Sequence, residues 1–322
     1  MNRVVFVLVP GMHLLDLAGP AQVFSTAADT GLPYRLAYVA DRPGGAGPED
    51  GPDDEVEVPT AQGLPVRAPA AWPGLTAADT VLVPGWRWGS GAPHAPPVSA
   101  GAARRLAAHH AAGGTVASVC AGAFALAHAG LLDGRRCTTH HELQDALARR
   151  HPRAAVVRDV LYVTDGRVVT SAGIASGIDL ALHLVAARHG PGAAARIARA
   201  MVVYARRNGD QPQAGAMLRH RAHLSDAVHR AQDLIDGGYT RPLPLHRLAA
   251  AAGVSERTLT RRFAAATGLT PLRYQQELRL EHAEHLIGQG ATAEAAARAV
   301  GFTDARMLRR LRARAPASPP PS

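Results

Sequence analysis

The hydrophobic pattern of this chain changes once along its length. Up to about residue 204, short β-rich runs such as Val4–Val9, Tyr34–Ala40 and Thr115–Val119 alternate with helix-like segments. Buried strands that are separated by helices are typical of a parallel sheet covered on both faces. From Leu224 onward the strand pattern stops, and apolar residues recur at helical spacing. The sequence therefore predicts an α/β domain followed by an all-α domain.

We expect the boundary between the two domains at a polar segment. Asn208–Gln213 reads Asn-Gly-Asp-Gln-Pro-Gln, which is a linker composition. The prediction is an N-terminal domain over residues 1–207, a linker over 208–216, a helical domain over 217–314 and a disordered tail over 315–322. A length of 322 residues is enough for two such domains.

The positive charge of the chain is concentrated in the predicted helical domain. All 35 basic residues are Arg. Residues 1–216 hold 19 Arg and 17 acidic residues, whereas residues 217–322 hold 16 Arg and 9 acidic residues. A basic terminal domain suggests a polyanion partner. Charge alone is equally compatible with a solvated basic surface.

Cysteine usage and hydropathy bear on where the protein acts. The two cysteines, Cys120 and Cys137, cannot build a disulfide framework, so we expect a reduced, cytoplasmic protein. Ala111–Leu132 has no formally charged residue and is long enough to cross a bilayer. Because Gly113-Gly114 and Cys120-Ala121-Gly122 interrupt it, we interpret it as a buried strand, a tight turn and a packed helix. We expect no membrane partner.

Two junctions in the second domain have the same design. Leu248–Ala252 is a small-residue helix, Gly253 a turn and Ser255 the N-cap of a second helix. Ala295–Ala299 and Gly301 repeat this design 48 positions later. A helix, a glycine turn and a capped helix form a helix-turn-helix. One such pattern fits any corner between two helices, but two in one basic domain favour DNA binding.

The helical domain resembles the DNA-binding domain of AraC-type regulators. Gly301-Phe302-Thr303-Asp304 resembles the second Gly-Phe signature of that family, but the family's closing Gly-x-x-Pro and Tyr-Arg segment is missing. The resemblance therefore covers the first helix-turn-helix more fully than the second. The residues that match in the first unit and the helix after it are Gly253, Val254, Ser255, Leu259, Arg262, Phe263, Gly268, Thr270, Pro271, Tyr274, Arg279, Leu280, Ala283 and Leu286.

The N-terminal domain has a resemblance of its own. Val119–Phe124, Leu131–Arg136 and Thr138-Thr139-His140 are similar to the DJ-1/PfpI-like, class I glutamine amidotransferase-like domain. Joined to an AraC-type module, such a domain has the architecture of GlxA-type transcriptional regulators. The resemblance implies an α/β fold with a flavodoxin-like doubly wound parallel sheet, followed by a C-terminal all-α double helix-turn-helix domain.

The segment around Cys120 predicts a strand that ends in a sharp turn into a helix. Such an elbow presents one side chain and directs backbone N–H groups at it, so we expect a depressed thiol pKa. The resemblance places the carboxylate of Asp16 beside the thiol and His140 in the pocket. Gly85 ends another strand, and its N–H would join that of Ala121 in an oxyanion hole.

The residue after the cysteine decides between two classes of function. Family members that hydrolyse amides or peptides carry a His directly after the Cys, where this chain has Ala121. Hydrolysis is disfavoured without that base, so we interpret the elbow as vestigial or ligand-sensing. The alternative is a cysteine-dependent, isocyanide-hydratase-like or amidase-like enzyme with an appended DNA-binding domain. A small buried hydrophobe is the alternative for Cys120 taken by itself.

Other residues that invite a functional reading are weaker candidates. His109-His110 and His140-His141 suggest a metal, but we expect neighbouring side chains to point apart and find no Cys or acid to complete a ligand set. The sequence therefore predicts no metal and no cofactor. Trp86 and Trp88 either wall the pocket or pack elsewhere on the domain.

The helix that follows Ser255 separates an inward face from an outward one. Leu259 and Phe263 are four residues apart and face the core. The AraC-type resemblance assigns base reading to Arg257, Thr260 and Arg261, with Arg306, Arg309 and Arg310 as counterparts in the second unit. The planar fork of arginine can bond guanine O6 and N7 together. Arg262, beside the inward Phe263, is expected to contact a phosphate or a helix neighbour. The alternative is a solvated basic face that attracts DNA nonspecifically. The candidate DNA-contacting residues are Arg257, Thr258, Thr260, Arg261, Arg262, Arg306, Arg309 and Arg310.

These observations predict a sequence-specific DNA-binding transcriptional regulator. We expect double-stranded operator DNA and a small-molecule effector as its partners, and a second copy of the chain in a homodimer. RNA polymerase is a further candidate partner.

Overall fold

The computed structural model describes residues 2–41, 55–87, 98–203, 209, 213, 219–288 and 290–314. The chain divides into two compact units, Met1–Gln213 and Ala214–Ser322.

The first unit contains strands of two to seven residues. In chain order they are β1 (Asn2–Leu8), β2 (Tyr34–Ala40), β3 (Glu55–Val58), β4 (Val66–Pro69), β5 (Thr80–Val83), β6 (Thr115–Val119), β7 (Arg136–Cys137), β8 (Ala155–Val156), β9 (Tyr162–Asp165) and β10 (Val168–Ser171). Its helices are α1 (Leu14–Asp29), α2 (Ala100–Ala111), α3 (Gly122–His128), α4 (Gln144–Arg150), α5 (Ser176–His189) and α6 (Pro191–Ala200).

Six strands form one sheet in the order β2-β1-β5-β6-β10-β9. All neighbours in it pair in parallel except β9, which lies antiparallel to β10 at one edge. Numbered along the chain, the five parallel strands run in the order 2-1-3-4-5, which is the flavodoxin-like arrangement. The predicted doubly wound parallel sheet is therefore confirmed.

Helices cover the sheet on both faces. α1 packs against α5, which also packs against α6, while α2 packs against β6 and α3. Because β1 is central and covered on both sides, Val4–Val9 is a continuous run of buried residues. Ala111–Leu132 forms the end of α2, β6, a turn and α3, as predicted. In the parts of the chain that the structure describes, no helix is both long and apolar enough to span a membrane.

The short pairs β3–β4 and β7–β8 lie outside the main sheet. No sequence pattern marks them, because alternation over two to four residues is too short to separate a strand from a loop. The segment 41–54 follows β2, and all of it except its first residue lies outside the described residues. Its first residue, Asp41, is buried and accepts hydrogen bonds at 2.6 Å from both the backbone N–H and the hydroxyl of Ser99.

Two described residues of the predicted linker are bonded to the first unit. The carbonyl of Gly209 accepts hydrogen bonds from the backbone N–H groups of Leu161 and Tyr162. Gln213 is buried, and its side-chain amide donates to the carbonyls of Thr139 at 2.9 Å and Val160 at 3.0 Å. The other residues from 208 to 216 lie outside the described part, as does the predicted tail over 315–322.

The second unit is helical throughout its described residues. Its helices are α7 (Asp226–Asp236), α8 (Leu245–Ala252), α9 (Glu256–Thr267), α10 (Pro271–Gly288), α11 (Ala293–Ala299) and α12 (Ala305–Arg314). The predicted all-α character of this domain is confirmed. Ser255 and Thr292 cap α9 and α11 by accepting hydrogen bonds from the N–H groups of Thr258 and Ala295.

The second unit has two small apolar cores. The first joins α7, α8, α9 and the start of α10 around Leu259, Phe263 and Tyr274, which are fully buried. The second joins the end of α10 to α11 and α12 around Phe302 and Leu308. Each helix-turn-helix thus has its own core, and α10 runs through both. Both cores are separate from the core of the first unit.

Because the cores of the two units are separate, we expect them to unfold independently. Leu259→Ala should destabilise the second unit, and Leu126→Ala the first, each by about 2–5 kcal/mol, since both side chains are fully buried. All three tryptophans, Trp72, Trp86 and Trp88, lie in the first unit. Tryptophan fluorescence should therefore follow only the first unit in urea unfolding, and helical circular dichroism should add the second. A shift of both transitions by either variant would contradict independent cores.

Candidate functional site

Four loops meet at the carboxyl edge of the main sheet. Asp16 follows β1, Gly85 follows β5, Cys120 follows β6 and Gly173 follows β10. The strand order reverses between β1 and β5, and ligands of open α/β sheets bind at such a switch point. The structure thus brings the predicted residues Asp16, Gly85 and Cys120 to the place where the fold favours a ligand.

Cys120 forms a strained elbow. Its φ of 55° lies in the left-handed region, which non-glycine residues rarely adopt. The backbone is held there by two hydrogen bonds, from the Cys120 N–H to the Ser171 carbonyl at 2.9 Å and from the Thr139 hydroxyl to the Cys120 carbonyl at 2.7 Å. The sulfur-bearing side chain is only 5% exposed. The predicted sharp turn from β6 into α3 is confirmed.

Glycine is required on both sides of this elbow. A Cβ added to Gly85 would lie 2.5 Å from the Cβ of Cys120 and 2.5 Å from Oδ2 of Asp16. A Cβ added to Gly173, which has a φ of 107°, would lie 2.3 Å from the Cβ of Cys120. Atoms at such distances overlap, so no larger residue fits at either position. The main chain at Gly85 and Gly173 therefore lies in direct contact with Cys120.

Asp16 is fully buried beside the thiol. Its Oδ1 accepts a hydrogen bond at 2.7 Å from the N–H of Ile174, a β-branched residue held at a φ of 48°. Its Oδ2 has no aligned hydrogen bond among the described residues and faces Gly85 and Cys120. Burial raises the pKa of Asp16 to about 6, because it outweighs the opposing effects of the hydrogen bond from Ile174 and of the nearby Gly85 N–H and Cys120 thiol.

The expectation of a depressed thiol pKa is wrong for this environment. Burial and then the negative charge of Asp16 raise the pKa of Cys120 to about 12. The hydrogen bond from the Ala121 N–H acts in the other direction but is the smaller effect. At neutral pH the site therefore holds a protonated thiol beside a carboxylate. A protonated thiol is a poor nucleophile.

The predicted pocket residue His140 is half-buried near two groups that the sequence analysis missed. Its Nδ1 lies 3.7 Å from Oε2 of Glu142. Burial lowers the pKa of His140, and the neighbouring His141 lowers it further. His13 acts in the same direction. Glu142 in turn raises the pKa of Cys120, and the His13 N–H donates to the Gly85 carbonyl at 2.9 Å. Glu142 and His13 thus border the elbow although no motif marks them.

The expected divergence of neighbouring histidines is also wrong at this pair. The rings of His140 and His141 lie together, with their centroids 4.3 Å apart, because a tight turn follows His140. Within the described ranges, no group of His, Cys, Asp and Glu is arranged to hold a metal ion. Trp86 is buried and bridges to Met12 at the same sheet edge, and Trp88 lies outside the described residues.

The second candidate site is the outward face of α9. Arg257, Arg261 and Arg262 are exposed and form no ion pair within the described residues. Thr258 and Thr260 are half-buried, and their hydroxyls are bonded within the helix turn, to the Ser255 hydroxyl at 2.9 Å and to the Glu256 carbonyl at 2.9 Å. The arginines are therefore the fully exposed donors of this face, whereas the Thr260 hydroxyl donates within its own helix and the Thr258 hydroxyl accepts from Ser255.

α12 presents a matching face in the second helix-turn-helix. Asp304 accepts hydrogen bonds from the N–H groups of Arg306 and Met307 and so caps the helix. Arg306, Arg309 and Arg310 are exposed, while Leu308 and Leu311 are buried in the core. The helix has ten residues against twelve in α9. Both predicted recognition helices are thus formed with their arginines outward.

Comparison with known proteins gives matches to both units. The DJ-1/PfpI family matches residues 2–187, and a helix-turn-helix domain family matches residues 248–320. An uncharacterised protein of Streptomyces lividans, encoded in the 5′ region of cpoL, is 42% identical over 153 residues, 47% of this chain and 96% of that one. These matches confirm the predicted resemblances in each unit.

Two further relatives carry functional names. The HTH-type transcriptional regulator GbdR of Pseudomonas aeruginosa is 33% identical over 178 residues, 55% of this chain and 48% of that one. The isonitrile hydratase of Pseudomonas putida is 31% identical over 183 residues, 56% of this chain and 68% of that one. The chain spans about half the length of the curated regulator that it matches.

The raised thiol pKa predicts slow alkylation of Cys120. In a Cys137→Ser background, where Cys120 is the single thiol, iodoacetamide at pH 8 should modify the folded protein at least about 100-fold more slowly than free cysteine. Asp16→Asn removes the neighbouring negative charge and should lower the pH at which alkylation becomes fast. The matched control is Asp29→Asn, at the exposed end of the same helix, which should leave that pH unchanged. Reactivity like that of free cysteine, or no response to Asp16→Asn, would contradict this account.

Proposed function

The chain belongs to the DJ-1/PfpI family, and we propose that it is a sequence-specific DNA-binding transcriptional regulator whose first unit senses a small molecule. The observation that carries the proposal is the second unit. It holds two capped helix-turn-helix structures, and each presents three exposed arginines on the helix that would enter the major groove.

The relatives support this proposal. A helix-turn-helix family matches the second unit, and GbdR, which aligns with more than half of the chain, is named as a transcriptional regulator. Arginine suits base reading because its fork bonds O6 and N7 of guanine together. Positive charge on the same face also supplies affinity for the phosphate backbone.

We assign the effector to the elbow of the first unit. The site lies at the switch point of the sheet, and Ile174 beside it is 40% exposed although it is strained and apolar. Backbone strain of this kind persists where the surrounding structure serves a ligand or a switch. The proposal includes a homodimer, whose two copies would bind DNA more tightly than one, and a cytoplasmic location with the chromosome. RNA polymerase remains the partner to test once target promoters are known.

An enzyme is the second candidate function, and one observation favours it. The chain aligns with the isonitrile hydratase over 56% of its length, and the buried pair of Asp16 and Cys120 is present. Against this activity stand the protonated thiol and Ala121 in the position where hydrolytic members of the family carry a His.

The DNA-binding proposal predicts a sequence-dependent role for Arg261. Arg261→Ala should cost about 1–3 kcal/mol of binding free energy on the preferred duplex and little on random DNA, because a base contact is lost. Binding of the full chain to duplexes selected from a random-sequence library, measured by fluorescence anisotropy, checks this. The matched control is Arg247→Ala on α8, an exposed arginine outside the recognition helix, which should affect both duplexes equally. Equal losses for Arg261→Ala would make Arg261 a phosphate contact, and failure of the wild-type chain to enrich any sequence would overturn the proposed function.

The two candidate functions differ in turnover. We expect purified chain to convert isocyanides, amides or methylglyoxal far more slowly than about 1 s⁻¹, which is the low end of ordinary enzymes. Cys120→Ser should leave DNA binding without effector within a few-fold of wild type. Turnover at enzymatic rates that Cys120→Ser abolishes would establish the enzyme instead.

A further inference from the structure

We infer that Arg279 fixes the distance between the two recognition helices, α9 and α12, and thereby sets the spacing of the two base-pair blocks that the protein accepts. The inference rests on the proposed function, because it requires both helices to read DNA. Arg279 lies in the middle of α10.

The guanidinium of Arg279 donates hydrogen bonds to main-chain carbonyls of the loop that precedes the first helix-turn-helix and of the turn in the second. Its Nε donates to the Tyr239 carbonyl at 2.6 Å and its Nη2 to the Arg241 carbonyl at 3.1 Å. Both carbonyls lie in the loop that connects α7 to α8 and so leads into the first helix-turn-helix. Its Nη1 donates to the Gly301 carbonyl at 2.9 Å, in the turn of the second. One side chain therefore joins the two.

The loop between α7 and α8 also touches the turn of the second helix-turn-helix directly. Gly301 has a φ of 88°, and a Cβ at this position would lie 1.9 Å from the carbonyl oxygen of Thr240. On the same loop, the side-chain amide of Gln275 donates to the carbonyls of Tyr239 at 2.9 Å and Arg241 at 2.8 Å. The loop at 239–241 is thus held between α10 and the second turn, with no room for a side chain between the backbones.

Tyr239 connects the two cores at this point. Its ring stacks on His282 with centroids 4.7 Å apart, and it packs against both apolar clusters of the unit. Any change in the distance between the two helix-turn-helix structures would separate these contacts. The contact region is therefore the place where that distance is determined.

The burial of Arg279 costs more desolvation free energy than an apolar residue would at the same position. It is half-buried, and within the described residues it forms no ion pair with a carboxylate. The Phe302 ring, 5.7 Å from the guanidinium carbon, and the three carbonyls are its compensating partners. Burying a charge is costly, and a rigid planar fork mainly contributes geometric specificity. These features are those of a positioning residue.

Fixed distance matters for DNA because the major groove is periodic. Recognition helices that read one face of a duplex must lie about 34 Å apart, one helical turn. Each base pair advances the helix by about 3.4 Å, so one inserted or deleted pair misplaces a rigidly held second helix. A clamped pair of readers should therefore discriminate spacing, and a loosened pair should tolerate several spacings.

The test measures spacing preference with the full chain. A two-block motif is first selected from a random-sequence duplex library with the wild-type protein, and duplexes are then made with one base pair added or removed between the blocks. We expect wild type to prefer the selected spacing by about tenfold or more. Arg279→Ala should reduce this preference below about threefold, with binding to the first block alone unchanged. Arg279→Lys, which keeps the charge but loses the fork, should give an intermediate preference.

Controls separate positioning from folding and from charge. Arg273→Ala removes an arginine of the same helix that pairs with Glu277 and bonds neither turn, so it should keep the spacing preference. Thermal unfolding by circular dichroism identifies any variant that fails to fold, and if Arg279→Ala does, Arg279→Lys decides. An unchanged preference in the folded Arg279 variants, or a wild-type motif with a single block, would overturn the inference. A wild-type protein that selects no sequence would instead overturn the proposed function itself.

Discussion

Close contact between backbones at the carboxyl edge of the sheet is the constraint on which the first unit depends. Gly85 and Gly173 lie against Cys120, and a Cβ at Gly122 would lie 2.3 Å from the Val83 carbonyl oxygen. Because no side chain separates these segments, little of Cys120 and none of Asp16 is exposed to solvent. The shape of the elbow and its chemistry therefore have one origin, since the glycines that permit the turn also produce the burial.

That burial decides the chemistry of the cysteine. The strand-turn-helix arrangement by itself favours a thiolate. Here the loss of solvation and the adjacent carboxylate act in the opposite direction and are larger. A thiol that stays protonated beside an acid is suited to hydrogen bonding with a bound molecule rather than to attack on it. In the proposed regulator, this thiol would contact the effector, and α9 and α12 would contact DNA.

The architecture could be predicted well from the sequence because its strands, turns and helices follow from local periodicity. Alternating strands and helices, the turn at Cys120 and the helices from Asp226 onward all follow from patterns within a few residues of one another. The thiol pKa was predicted wrongly because the depth of burial at Cys120, which is the largest cause of the raised pKa, is set by segments that are far apart in the sequence. The family resemblance placed Asp16 beside the thiol, but no local pattern shows how deeply the pair is buried. Glu142 and His13 were missed for the same reason, since only the folded sheet edge brings them to the elbow.

The attachment of Gln213 has a mechanical consequence. Its side-chain amide donates a hydrogen bond to the Thr139 carbonyl, and the hydroxyl of Thr139 donates one to the carbonyl of Cys120. The last residue of the first unit and the backbone of the elbow are therefore joined through one threonine. Tension on the chain beyond Gln213 would therefore act on Thr139, the residue that also holds the backbone of the elbow in place. A displacement of the elbow would act on Gln213 through the same two hydrogen bonds.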